Sequence, residues 1–187
     1  PVKKHGGIVV NLKGDSFLAI WKAAHMEDGL RRQACLAALD VAKAVHRFNG
    51  TVENLNLPTR VGVHSGQIFL GNIGAGDHYE YVPTGDTVNT ASRMDGLNKY
   101  LGTEVLASDE IIQQLDGLLT REVGEFMLKG KAQPIVVHEL LGRADEADDT
   151  RKKSAEIFTQ GLTAFRRRSW NEAAEQFARA IENSPND

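Results

Sequence analysis

Two polar side chains four residues apart, Asn89 and Arg93, stand in the segment Gly85-Asp86-Thr87-Val88-Asn89-Thr90-Ala91-Ser92-Arg93-Met94-Asp95-Gly96-Leu97. On a helix that spacing puts both on one face, with Val88, Ala91 and Leu97 supplying the buried side. An arginine fork beside an amide suits an anionic ligand that carries a polar group next to its charge. Spacing alone leaves a solvated polar stripe equally open. Asp15 follows Gly14 where the chain turns. A carboxylate at a hairpin tip can hold a hard cation such as Mg²⁺, or can simply make the turn. The run Gly71-Asn72-Ile73-Gly74-Ala75-Gly76 imitates a phosphate loop. Its spacing fits neither GxGxxG nor GxxxxGK[ST], and it leads into His78-Tyr79-Glu80-Tyr81-Val82 instead of a helix, so it reads as a flexible connector between strands. The six histidines are scattered without paired ligand spacing, which disfavours a histidine metal site. The single cysteine, Cys35, excludes an internal disulfide framework and a cysteine metal cluster. A lone thiol fits a reducing, cytoplasmic setting.

The run Ile8-Val9-Val10-Asn11-Leu12, the turn Lys13-Gly14-Asp15 and the returning run 16–21 predict a hairpin that presents Asp15. Leu30, Ala34, Ala37, Val41, Val45 and Phe48 recur at helical spacing and predict a helix over 27–48, ended by Asn49-Gly50. Residues 59–64 and 67–73 read as two strands of a hairpin around Ser65-Gly66. A short strand or loop follows over 77–84, then the helix of Asn89 and Arg93 over 86–100, with Gly102 just past its end. Next come a strand at 105–107 and a short helix through Leu115, with Ser108 as its N-cap. Strands at 121–128 and 135–141, joined by Lys129-Gly130-Lys131, close the series. Frequent hairpins with interspersed helices predict an α+β fold, an antiparallel or mixed sheet covered by helices.

The chain has 187 residues, 41% apolar and 25% charged, an ordinary globular composition of one domain plus something smaller. Lys and Arg number 22 against 25 Asp and Glu, a net charge of −3, so no basic excess points to nucleic acid. No apolar run approaches the ~20 residues that span a bilayer, so no membrane segment is expected, and the first residues lack the apolar core of a signal peptide. The chain begins with Pro and is therefore expected to be part of a longer protein. Residues 143–153 lack large apolar residues and read as a linker. Helical stretches at 155–167 and 171–182 follow. Gly161, Ala173, Phe177, Ala180 and Pro185 sit at the relative spacings of a tetratricopeptide repeat, and 154–187 is one repeat length. Such a repeat offers a surface for a protein partner; an amphipathic hairpin that merely caps the chain is the plainer alternative.

Three stretches together carry a family resemblance. "VGVHSGQIFLGNIG…YEYVPTGDTVNTASRMDGLN" resembles the C-terminal part of class III adenylate/guanylate cyclase catalytic domains, "HGG…GDSFLAIW" the preceding hairpin, and "LKGKAQPIVVHEL" the closing strands. The likeness covers about residues 5–142, and the domain division it implies is 1–142 catalytic, 143–153 linker and 154–187 helical repeat. The resemblance implies a ferredoxin-like core, a homodimer with active sites at its interface, and conversion of a nucleoside triphosphate, ATP before GTP, to a 3′,5′-cyclic monophosphate and pyrophosphate. It implies two divalent cations per site, Mg²⁺ or Mn²⁺, with Asp15 matching the second metal-binding aspartate. Asn89 matches the asparagine that orients the ribose, and Arg93 the arginine that stabilises the charged transition state. Lys129, with Lys131 as the weaker match, falls where a lysine contacts the leaving phosphates. In such a shared site, Asp15 of one copy faces Asn89 and Arg93 of the other.

The sequence departs from the family pattern at three places. The strand with the first metal aspartate is absent and is expected upstream of Pro1, so the chain alone is expected to be inactive. The purine-selecting lysine is replaced by Asn11, with Lys13 two positions on and on the same strand face as a substitute. The partner position for base recognition is Val82, which cannot hydrogen-bond a base. Asn11 and Val82 keep a second class of function in view, a non-catalytic cyclase-like dimerisation or nucleotide-sensing module. A phosphate-ester hydrolase on a related fold is a third.

Overall fold

The computed structural model describes residues 1–23, 28–75, 78–113 and 115–184. Alternation sets the central sheet. β3 (Val61–Val63) pairs in parallel with β6 (Val105–Ser108), which pairs antiparallel with β8 (Ile135–Arg143), which pairs antiparallel with β7 (Leu118–Phe126), in the order β3-β6-β8-β7. Successive residues of β6 serve opposite faces, as the period of a strand demands. Val105 and Ala107 join Ala34, Cys35, Ala38, Leu39 and Ala42 of α1 (Asp28–Asn49) on one side. Leu106 joins Met94 of α2 (Asp86–Leu101) with Leu128 and Val137 on the other. The sheet is thus covered by a helix on each face.

α1 is more deeply buried than its apolar stripe predicts. The N-terminal segment covers a second face: His5, in a 3-10 turn over Lys3–His5, contacts Gln33 at 2.9 Å and Asp40 at 2.8 Å. Leu36 and Ala37 share that face and are closed off. Phe48, expected on the core side, is half exposed. Residue 27, included in the expected helix, lies outside the described residues.

The expected hairpin of 59–64 with 67–73 does not form. β3 finds β6 instead, and β4 (Phe69–Ala75) pairs antiparallel with β5 (His78–Thr84). The reason lies at Gly66: a β-carbon there would stand 2.7 Å from Thr87 Oγ1, so this glycine lets the backbone approach α2 and does not make a turn. Thr87 donates to the Gln67 carbonyl at 2.6 Å from the same contact. The glycine run expected to be a connector is strand through Ala75, while Gly76 and Asp77 lie outside the described residues. β1 (Ile8–Lys13) and β2 (Ser16–Ile20) form the expected hairpin around Gly14-Asp15, with Gly14 at φ 62°.

Ser108 precedes α3 (Asp109–Ile112), but its hydroxyl does not cap the helix; it bonds His64 Nδ1 at 2.7 Å. Residues 149–153, expected in a linker, are helix. Asp148 caps α4 (Asp149–Arg166) by accepting from the Arg151 amide at 2.7 Å. α4 and α5 (Trp170–Asn183) form a hairpin in which Gly161 meets the Phe177 ring and Phe158 lies 5.2 Å from it. Pro185 lies outside the described residues. The hairpin docks on β7: the Arg121 guanidinium sits 4.8 Å from the centre of the Phe158 ring, and Arg166 pairs with Glu122. Among the described residues no helix is long and apolar enough to cross a membrane.

Candidate active site

α2 is pressed onto β3 more closely than side chains would allow. A β-carbon on Gly62 would stand 2.2 Å from the Ala91 carbonyl oxygen and 2.5 Å from the Asp95 amide nitrogen. Thr90, Met94 and Asn98 are the fully buried side of the helix, whereas Val88, Ala91 and Leu97, expected there, are half-buried. The Asn98 amide donates to the Val61 carbonyl at 3.1 Å and accepts from Thr103 at 2.9 Å. With its back so fixed, α2 offers Asn89 exposed in its first turn and Arg93 half-buried one turn later.

Arg93 meets the turn between β7 and β8. Gly130 there has φ 76°, a left-handed conformation suited to glycine, and a β-carbon on it would lie 3.4 Å from Arg93 Nη2. Arg93 Nη1 is buried and has no hydrogen-bond partner among the described residues. Buried guanidinium N–H groups are normally paired, so this donor points to a ligand. Lys129 is exposed beside it, while Lys131 is half-buried and paired with Asp86. The hydrogen bond from Lys131 holds the Asp86 carboxyl below the usual carboxylate range. Beneath this pair, burial keeps the His64 imidazole below its ordinary pKa, with Glu110 opposing the shift from 4.0 Å.

The remaining candidates sit elsewhere. Asn11, Lys13 and Asp15 are exposed on the β1–β2 hairpin, and Val82 is half-buried on β5 opposite Gly71. Among the described residues no hydrogen bond or ion pair joins Asp15 to Asn89 or Arg93. No group of three or more potential metal-ligating side chains occurs among them either. A single open carboxylate such as Asp15 does not cage a cation. It does fit Mg²⁺ or Mn²⁺ of the kind that shares its ligands with substrate phosphates.

Residues 2–142 match the adenylate and guanylate cyclase catalytic domain family. The chain belongs to that family. It is 35% identical over 145 residues to adenylate cyclase 1 of Rhizobium meliloti, a match that covers 75% of this chain but 22% of that protein. Its fold is similar to the adenylyl cyclase CyaB of P. aeruginosa, with TM-score 0.63 at 21% identity over 79% of this chain and 78% of that one. It is also similar to the guanylate cyclase domain of RhGC from Catenaria anguillulae, solved in complex with GTP, with TM-score 0.61 at 27% identity over 76% of each chain. For a cyclase-family chain, the structure therefore gathers Asn89, Arg93, Lys129 and Lys131 at one end of α2 and leaves Asn11, Lys13 and Asp15 on a separate hairpin. Asp86, Gly130 and Gly62 escaped the reading of the sequence. Gly130 entered that reading only as the middle of the joining turn Lys129-Gly130-Lys131, because the partners lie far apart in sequence.

Proposed function

We propose that this chain is the catalytic part of a nucleotide cyclase that converts ATP or GTP to the 3′,5′-cyclic monophosphate and pyrophosphate for intracellular signalling. The single observation that carries the reading is the buried Nη1 of Arg93, without a hydrogen-bond partner among the described residues, beside a lysine-bearing turn in a chain of this family. The 3′-hydroxyl gives up its proton to solvent, its oxygen attacks the α-phosphorus, the bond from that phosphorus to the α–β bridging oxygen breaks, and pyrophosphate leaves with the electron pair. Charge gathers on the α-phosphate oxygens in that step, where a fixed guanidinium does most. Arg93 stabilises that charge, Asn89 orients the ribose, and Lys129 meets the leaving phosphates. Asp15 of a second copy would hold Mg²⁺ or Mn²⁺, of which two would serve each site. When bound there, the cations neutralise phosphate charge and favour ionisation of the 3′-hydroxyl.

Support for a site shared by two copies comes from the hairpin. Leu12 and Phe17 are cross-strand neighbours flanking the Asp15 turn, and Leu12 is 76% exposed. Apolar pairs left so open suit a partner surface. ATP is the preferred substrate on the strength of the adenylate cyclase relatives, with Asn11, Lys13 and Val82 nearest the base. A cytoplasmic setting, where nucleoside triphosphates are kept, accompanies it. The α4–α5 hairpin serves as a tetratricopeptide-like repeat for a protein partner, with Phe165 and Trp170 exposed and stacked edge-on at 5.4 Å.

A second reading, a cyclase-like module without turnover, is favoured by Val82, an apolar side chain at a base-reading position. The deciding experiment measures cyclic nucleotide formed from ATP and from GTP, with Mg²⁺ or Mn²⁺, by the intact protein. Product from either triphosphate establishes the cyclase and its base preference. No product from a folded, dimeric protein sinks it in favour of the module.

A further inference from the structure

The turn Lys129-Gly130-Lys131 offers two lysines to a triphosphate, and their surroundings differ. Lys129 is exposed. Lys131 has a side chain only 18% exposed, and its ammonium is taken by the Asp86 carboxylate from the first turn of α2, 45 residues away in sequence. The ion pair ties the start of α2 to the far side of the turn. Within that tie, Gly130 adopts its left-handed conformation and lies against the Arg93 guanidinium. The turn is closed by the Lys131 amide, which donates to the Leu128 carbonyl at 3.0 Å, and the charged pair ties that closed turn to α2 beside Arg93.

We propose that Asp86 is a positioning residue: by holding Lys131 it fixes the β7–β8 turn over Arg93, so that Lys129 alone is the lysine presented to the triphosphate. The assignment rests on the cyclase reading of the site. It divides the two lysines by task, Lys131 as anchor and Lys129 as phosphate contact. Each cation acts best where its position is set before the ligand arrives. An anchored lysine also stays put when the ligand binds, since its charge already has a partner with good geometry.

The test compares Asp86→Asn, Lys131→Met, the double variant and Lys129→Met in the intact protein. KM and kcat are measured with the preferred triphosphate and Mg²⁺ or Mn²⁺, and triphosphate affinity is measured separately by calorimetry. Breaking the pair from either side should raise KM and weaken affinity about fivefold, the scale of coupling between neighbouring groups. The double variant should be no worse than either single one, and Asp86→Glu should restore most of the loss. Lys129→Met should cost more than Lys131→Met. The proposal is overturned if Asp86→Asn leaves affinity unchanged or tightens it, as a freed phosphate-binding Lys131 would. It is equally overturned if the two losses add. Should Asp86→Asn fail to fold, Lys131→Met and the charge-exchanged pair Asp86→Lys with Lys131→Asp carry the same comparison. A wild type that binds triphosphate without turnover, with affinity still weakened by Asp86→Asn, refutes the cyclase reading and leaves the positioning role standing. A wild type that turns over while Asp86→Asn changes nothing does the reverse. A wild type that neither binds nor turns over triphosphate refutes both.

Discussion

The two regions that carry the candidate residues are built in opposite ways. At the start of α2, the helix and the turn beside it are held by fixed contacts. Thr90 and Met94 are fully buried, Gly62 admits the helix onto the sheet, and Asp86 holds Lys131. On the β1–β2 hairpin, Asn11, Lys13 and Asp15 all stand in solvent on a two-stranded ribbon with its own two-residue turn. A two-stranded ribbon is weakly stable by itself, so the hairpin depends on what lies beside it. The contrast teaches that one region is prepared within a single copy of the chain, while the other stands open in it. That division follows if cations for transition-state charge come from the rigid half and the metal ligand from the half that a second copy covers.

The largest effect should come from the prepared half. In the intact protein, Arg93→Ala should lower cyclic nucleotide turnover about 10²–10³-fold, the scale of losing one fixed charge-stabilising donor. Its thermal midpoint should stay close to wild type, because among the described residues Nη1 has no hydrogen bond to lose. Unchanged turnover would remove Arg93 from the chemistry. The division between halves is sharpened by mixing. Asp15→Asn and Arg93→Ala proteins, each inactive alone, should regain about a quarter of wild-type turnover when combined in equal amounts, since half the pairs then hold one intact site of two. No recovery in mixed dimers shown to form would place both residues in one copy's site and break the comparison.

Stability should separate the same two regions. Gly62→Ala puts a β-carbon into the backbone of α2 and should cost about 3 kcal/mol, as overpacking of a rigid contact does. Gly14→Ala meets nothing within 4 Å, and only its φ of 62° is unfavourable, so about 1 kcal/mol is expected. Denaturant titrations of both variants check the ranking, and equal costs would mean that α2 yields more readily than its packing indicates.

Local signals made much of this legible. The Gly14-Asp15 turn between two apolar-rich runs marks the hairpin, and apolar spacing with a following glycine marks α1 and α2. Asn89 and Arg93 are four apart, so a helix alone brings them together. The rest depends on distant partners. β3 is three residues long and pairs with a strand more than forty residues on, so a nearby Ser-Gly pair outweighed it in the sequence. Gly66 and Gly62 read as turn or filler until the helix they admit is in place. Asp86 and Lys131 are ordinary surface charges until β7 and β8 bring the turn back to α2. Ser108 has the right type for a cap, yet His64, 44 residues away, takes its hydroxyl.

That histidine yields the smallest expected effect, and a test of whether the prepared half is also where acid acts. Burial lowers the His64 pKa in the folded chain from 6.5, with Lys131 acting in the same direction and Glu110 and Asp86 against it. Well above 6.5 the imidazole is neutral in both folded and unfolded chains, so it adds no pH dependence there. Below 6.5 the unfolded chain takes up a proton that the folded chain resists, and folding stability falls with pH until the folded pKa is passed. His64→Gln keeps a side chain able to bond Ser108 and removes the proton. Unfolding free energies at pH 7.5, 6.5 and 5.5 should therefore fall less steeply in this variant than in wild type. Amide exchange should register the difference around β3 and the start of α2, and not in the β1–β2 hairpin. Equal slopes would mean that His64 takes its proton in the fold as readily as in the unfolded chain, with the cluster of Asp86, Lys131 and Glu110 absorbing the charge.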